Sequence, residues 1–246
     1  MPSLSGRGGN RKQYGKLISS GLILQYDMQN MSSYSGSGTT VTDIRGNSSA
    51  TLNNGPTFNS TRTKYLTFDG TNDYLIINTS LNSKLSPANT SRVISFACWV
   101  YPMDNGVLIS EHGSSTIPPP GWHASQIEVV SSTIKMSVWP HTSIITSPTI
   151  TFNQWNYLVL VCDGTSVKGY QNGSLFGTSG TFTRLTPYND GASAGLFYAL
   201  AYGDSTSLGD GSYANCRIGA FHVYNNALTS EQILENFNKT RSIYGI

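Results

Sequence analysis

Charge is scarce in this chain: Asp, Glu, Lys and Arg together make up 11% of 246 residues, less than half the usual share of about 25%. Acid is scarcest. Glutamate occurs four times, at Glu111, Glu128, Glu231 and Glu235. No Glu-x-Asp-x-x-Glu run exists, and Glu231 and Glu235 have the spacing of a solvated helix face, so the close strand carboxylates needed to cleave a glycosidic bond are missing. The three cysteines form no Cys-x-x-Cys and no Cys/His spacing, which argues against structural zinc. Cys98 and Cys162 lie inside apolar runs, where a thiol acts as a small buried hydrophobe. No hydrophobic run is long enough to span a bilayer, and residues 1–16 lack the apolar centre of a signal peptide. A Gly-x-Ser-x-Gly elbow is also missing, so the four histidines and many serines give no triad. The expectation is a protein without catalysis and without a membrane segment.

Ser, Thr, Asn and Gly take the place of charge, and 27 aromatic residues supply large buried areas. Such a composition suits short strands joined by turns, and fits extracellular, carbohydrate-facing or virion proteins. Arg7, Arg11, Lys12 and Lys16 fall in the first sixteen residues with no acid among them. Residues 1–16 therefore read as a basic flexible arm ahead of a domain at 17–246. Four charges are few for nucleic acid; a solvated tail, or one that orders by threading onto a neighbouring subunit, is the better expectation.

Along the chain the period is two nearly everywhere. Leu22, Leu24 and Tyr26 mark a first strand. Tyr65–Asn78 reads as a hairpin about Asp69-Gly70. In Val93–Pro102 the sets Phe96, Cys98, Val100 and Ala97, Trp99, Tyr101 alternate, and both are apolar, so this strand should be covered on both faces. Gln126–Val130 should pair with Lys135–Trp139 across Ser131-Ser132-Thr133. Residues 149–175 read as three strands turning at Asp163-Gly164 and Asn172-Gly173. Trp99 and Trp155 are expected in the core. Roughly twelve to fourteen short strands with regular turn signals indicate an all-β sandwich.

The last segment changes period. Ile218, Ala220, His222 and Tyr224 alternate with Gly219, Phe221, Val223 and Asn225 as a strand. Thr229 and Gln232 then match a capping box, Leu228 and Ile233 a hydrophobic staple. Ile233, Leu234 and Phe237 form the apolar stripe of one short C-terminal helix.

Eight segments, in order, resemble a known family. They are 21–27 (Gly-Leu-Ile-Leu-Gln-Tyr-Asp), 35–47, 52–58, 66–74 (Leu-Thr-Phe-Asp-Gly-Thr-Asn-Asp-Tyr), 96–100 (Phe-Ala-Cys-Trp-Val), 153–159 (Asn-Gln-Trp-Asn-Tyr-Leu-Val), 169–173 and 223–233. Together they resemble laminin-G-like, concanavalin A-like lectin/glucanase domains. The final residues 236–246 are similar to the tails of such domains in structural proteins of tailed marine and cyanobacterial phages. The resemblance implies a two-sheet antiparallel jelly roll with a binding or structural role. Many relatives hold calcium between an acid on the last strand and the first strand. Gly219 and Ala220 occupy those positions here, so no cofactor is expected; Asp27, Asp43, Asp69 and Asp73 are the oxygen donors left for a hard cation.

The functional expectation is a non-enzymatic virion structural protein, a capsid-decoration or tail-appendage module, assembled in the host and released by lysis. Its partners would be other virion proteins and further copies of itself. Arg7, Arg11, Lys12, Lys16, Tyr244 and Ile246 would dock on neighbouring subunits. The alternative is an adhesin for host-surface polysaccharide, and a glycoside hydrolase ranks last. Aromatic rings beside Asn, Asp and Gly hold sugars by stacking and hydrogen bonding, which selects Trp122, His123, Trp139, Tyr188, Tyr198 and Tyr202 as glycan candidates.

Overall fold

The computed structural model describes residues 16–85, 93–114, 123–138, 144–180, 197–203 and 208–246. In chain order the strands are β1 (Leu22–Asp27), β2 (Thr40–Val41), β3 (Ala50–Asn53), β4 (Thr57–Asn59), β5 (Tyr65–Asp69), β6 (Tyr74–Ile77), β7 (Val93–Pro102), β8 (Gly106–His112), β9 (His123–Val130), β10 (Thr133–Met136), β11 (Ile145–Thr149), β12 (Asn156–Asp163), β13 (Val167–Gln171), β14 (Ser174–Thr178), β15 (Phe197–Leu200) and β16 (Asn215–Tyr224). One helix, α1 (Ser230–Thr240), follows them.

These strands form two antiparallel eight-stranded sheets. Sheet A runs β14-β13-β12-β7-β16-β5-β4, with β1 beside β16; sheet B runs β11-β10-β9-β8-β15-β6-β3-β2. Leu24, Phe96, Ile127, Leu158, Tyr198 and Phe221 belong to one apolar cluster fed by both sheets, the interior of the sandwich. Burying this much apolar surface is the main force holding the sheets together. The expected all-β two-sheet architecture with one C-terminal helix is the one observed, with sixteen strands among the described residues.

β7 lies between β12 and β16 and is buried on both faces, as its alternation requires. Phe96, Cys98 and Val100 face the interior, whereas Ala97 and Trp99 join a second cluster outside sheet A, with Tyr157, Tyr224, Ile233, Phe237 and Tyr244. α1 covers that outer cluster. Thr229 Oγ1 accepts from Gln232 N and the Gln232 side chain accepts from Thr229 N, so the capping box is closed. Asn236, fully buried, ties the helix down: Nδ2 donates to Tyr224 Oη at 3.1 Å and Oδ1 accepts from Ile18 N at 2.9 Å. The β9–β10 turn places two serines, Ser131 and Ser132, at positive φ, and Asn172-Gly173 does the same between β13 and β14, the mirror-image turn geometry that suits twisted hairpins.

Several expectations are corrected. Tyr65–Asn78 is no hairpin: β5 pairs with β4 and β16 in sheet A, β6 with β3 and β15 in sheet B. The intervening turn closes on itself, Asp69 accepting from the N–H groups of Thr71, Asn72 and Asp73 while Asp73 accepts from Asp69 N, and the strands leave it for opposite layers. Strict alternation also fails in β1 and β16. Register shifts fall between Leu22 and Leu24 and between Ile218 and Ala220, the effect of β-bulges. Ile218 therefore faces the interior with Phe221 and Val223, and Leu22 the outer cluster. Gly219 sits at the second bulge, where a Cβ would collide with the Tyr244 ring. On α1, Leu234 is exposed and Asn236 takes the buried place. Trp155 is half-buried at the edge of the outer cluster instead of lying in the core.

Candidate functional site

Where β7 ends and β12 begins, the outer side of sheet A opens into a cleft of about 580 Å³, within the roughly 300–1,000 Å³ of small-ligand sites. The loop before β12 bends at Asn153, which takes φ 62°, a conformation asparagine tolerates better than most residues, and Asn153 N donates to Pro102 O at 2.8 Å. This bend brings Trp155 against Tyr101 at 5.5 Å, Tyr65 at 5.6 Å and Tyr244 at 4.7 Å between ring centroids. The Arg217 guanidinium lies over Tyr101 and Tyr65, 4.5 and 5.0 Å from their centroids, a cation–π stack that stiffens the wall.

Amides line the rest of the cleft: Asn153, Gln154, Asn156, Gln171 and Asn172. Three are oriented by hydrogen bonds. Gln171 Nε2 donates to Asn156 Oδ1 at 2.8 Å, Asn156 Nδ2 donates to Gln154 O at 3.0 Å, and Asn172 Oδ1 accepts from Tyr157 N at 2.8 Å. Asn153 and Gln154 are exposed. No charged side chain lines the cleft. Neutral donors and acceptors beside aromatic faces match the hydroxyls and C–H faces of an uncharged sugar.

The expected glycan residues do not converge on this cleft. Trp122, Trp139 and Tyr188 lie outside the described residues, as does the side chain of His123, whose backbone begins β9. Tyr198 is fully buried between the sheets, 4.8 Å from Phe96, and donates to Glu111 Oε2 at 3.3 Å; it presents no ring face to a ligand. Tyr202 is buried outside sheet B in a cluster with Ile76, Ala199, Tyr74 and Tyr213, with His112 5.3 Å from its ring. Among the docking candidates, Arg7, Arg11 and Lys12 lie outside the described residues, while Lys16 and Ile246 are exposed. Tyr244 is engaged within the chain, stacked on Trp99 at 4.2 Å. Sequence reasoning missed the cleft because Trp155 was assigned to the core; the usable signal was the run of three amides around it, Asn153-Gln154-Trp155-Asn156.

Glu111, Glu128, Asp43, Asp69 and Asp73 accept hydrogen bonds from within the chain. Glu111 shares the interior side of sheet B with its cross-strand partner Tyr198, whereas Glu128 alternates with interior Ile127 and Val129 and faces outward. There Glu128 Oε2 accepts from Leu208 N, and Oε1 from Asp210 N and Gly211 N, each at 2.6 Å. Two acids on opposite faces of one sheet cannot flank one glycosidic bond. Asp43 is likewise spent on backbone: Oδ1 accepts from Gln25 N and Arg45 N, Oδ2 from Asn47 N and Ser48 N. Asp69 and Asp73 close their own turn, and the Asp27 carboxyl is pushed up by burial, offset by the Gln29 N–H and by Lys64. No group of three His, Cys, Asp or Glu able to hold a metal occurs among the described residues.

A family model described as the concanavalin A-like lectin/glucanases superfamily, of laminin-G type, matches residues 69–234. The chain belongs to that superfamily. No curated protein sequence matches it. Among solved structures it is similar to Trypanosoma rangeli sialidase in complex with sialic acid, at 13% identity and TM-score 0.65, covering 93% of this chain and 34% of that one. It is also similar to domain 4 of an extracellular arabinanase from Geobacillus stearothermophilus in complex with arabinotriose, at 17% identity and TM-score 0.56, covering 87% and 97%. The binding domain of botulinum neurotoxin DC in complex with SialylT gives 13% identity and TM-score 0.58, covering 91% and 52%. The chain spans about a third of the length of the sialidase it matches. At these identities the likeness shows the fold.

Proposed function

We propose that the protein is a non-hydrolytic carbohydrate-binding module whose Trp155 cleft takes a neutral glycan. The observation carrying this reading is the lining itself: five amides and an aromatic wall with no charged side chain. Stacking on Trp155 supplies apolar contact, and the oriented amides select hydroxyl positions. The arabinanase domain in complex with arabinotriose, similar over nearly its whole length, supports a neutral oligosaccharide as ligand class. The opposed placement of Glu111 and Glu128 supports binding without cleavage. A glycan array followed by tryptophan-fluorescence titration tests it. A neutral oligosaccharide should bind, and Trp155→Ala should weaken it by about tenfold or more, the value of roughly 1.4 kcal/mol. An array without a hit, or an affinity indifferent to Trp155→Ala, refutes the assignment.

A virion placement is the second reading, and the resemblance of residues 236–246 to phage-protein tails supports it. With Tyr244 engaged internally, docking would fall to the basic arm and to exposed Ile246. Mass spectrometry of purified particles tests this, and absence of the chain there removes it.

A further inference from the structure

On the far side of Tyr244 from the cleft, sheet A carries a second hollow, of about 220 Å³. One water needs only roughly 10–15 Å³, so a small organic molecule fits. β1 and β16 pair there with Gln25 opposite His222 and Asp27 opposite Ala220, placing these side chains on one face. Lys16, Leu17, Ser19 and the tail at Thr240, Ile243 and Tyr244 complete the walls. The covering segment is pinned: Ile18 N donates to Asn236 Oδ1, and Lys239 Nζ donates to Lys16 O at 2.7 Å.

His222 lines this hollow, is 2% exposed, and neither Nδ1 nor Nε2 has a hydrogen-bond partner among the described residues. Leaving a buried polar atom without a partner is costly, and native interiors rarely do so. Burial holds the imidazole neutral, its pKa pushed down to about 4, so at neutral pH it offers one donor and one acceptor. Asp27 Oδ1 accepts from Gln29 N at 2.9 Å, which leaves Oδ2 to accept from a ligand. Exposed Lys16 and Arg45 stand at the mouth, two cations against one carboxylate. Trp99, Leu22 and Ala220 provide apolar floor.

We propose that this cavity binds a small hydroxylated carboxylate, such as a sugar acid. Arg45 and Lys16 take the carboxylate, the former through its planar fork. His222, Gln25 and Asp27 take the hydroxyls, and the floor packs against the carbon skeleton. A cationic ligand would meet two like charges at the mouth, and an apolar one would leave His222 unsatisfied.

The test is NMR of the histidine ring nitrogens during titration with D-glucuronate, with D-glucose and acetate as controls. D-Glucuronate should shift the His222 resonances saturably, and Arg45→Ala should weaken binding by about tenfold or more. His222→Phe should abolish binding; since Arg45 is exposed, Arg45→Ala serves even if His222→Phe does not fold. An unmoved His222 signal, an equal response to D-glucose or acetate, or an affinity unchanged by Arg45→Ala overturns the proposal.

Discussion

The outer faces of the two sheets solve burial differently. Outside sheet A the buried surface is mostly hydrocarbon: Trp99, Tyr157, Phe237 and Tyr244 stack beneath α1 and the tail. Outside sheet B buried polar groups recur, and Glu128 compensates for losing water by accepting three backbone N–H groups. A buried carboxylate is tolerable when it is hydrogen-bonded this fully. On sheet A the His222 ring lacks that compensation at both nitrogens, and the Tyr157 hydroxyl lacks it too, among the described residues. The contrast separates polar groups retained for architecture from those whose partners the fold does not supply.

The largest effect should come from breaking the hydrocarbon side. Trp99→Ala removes a fully buried ring, its stacking on Tyr244 and its hydrogen bond to Thr240 Oγ1 at 2.9 Å; urea unfolding should show a loss of about 3–5 kcal/mol. On the polar side, Glu128→Ala leaves the N–H groups of Leu208, Asp210 and Gly211 unpaired. A loss of about 3 kcal/mol is expected, with hydrogen exchange accelerating selectively at those three amides; uniform exchange would show that the carboxylate does not hold that loop.

His222 sharpens the comparison through pH. Its folded pKa, pushed down to about 4 from 6.5, means the unfolded chain binds the proton more readily. The associated stability is fully present above about pH 6.5 and is lost as pH falls towards 4, by up to about 3 kcal/mol. His222→Phe should flatten that part of the stability–pH curve, and an unchanged slope would place the ring in water. The smallest effect belongs to α1: Leu234→Lys, at an exposed position, should stay within about 0.5 kcal/mol, whereas Phe237→Ala should cost about 3 kcal/mol.

Much of the architecture was legible in the residues. β7 announced its two-sided burial through paired apolar sets, and Thr229 with Gln232 announced the helix start, because both signals are local. The separation of β5 from β6 was not legible, since an Asp-Gly turn looks alike whether the strands beyond it pair or part. The bulges at Leu22–Leu24 and Ile218–Ala220 were hidden too; one residue of slippage leaves the composition intact and reverses the faces before it. The candidate cleft escaped because Trp155 is as hydrophobic as Trp99, and only packing distinguishes a ring sealed by Tyr244 from one half-open beside amides.

Tyr244 borders both hollows and leans on Gly219 between them. A party wall of this kind makes the two sites thermodynamic neighbours. Any ligand that displaces the ring on one side alters affinity on the other, and linkage demands that the influence be equal in both directions. Tyr244 would thus set whether the two pockets act independently or keep count of each other.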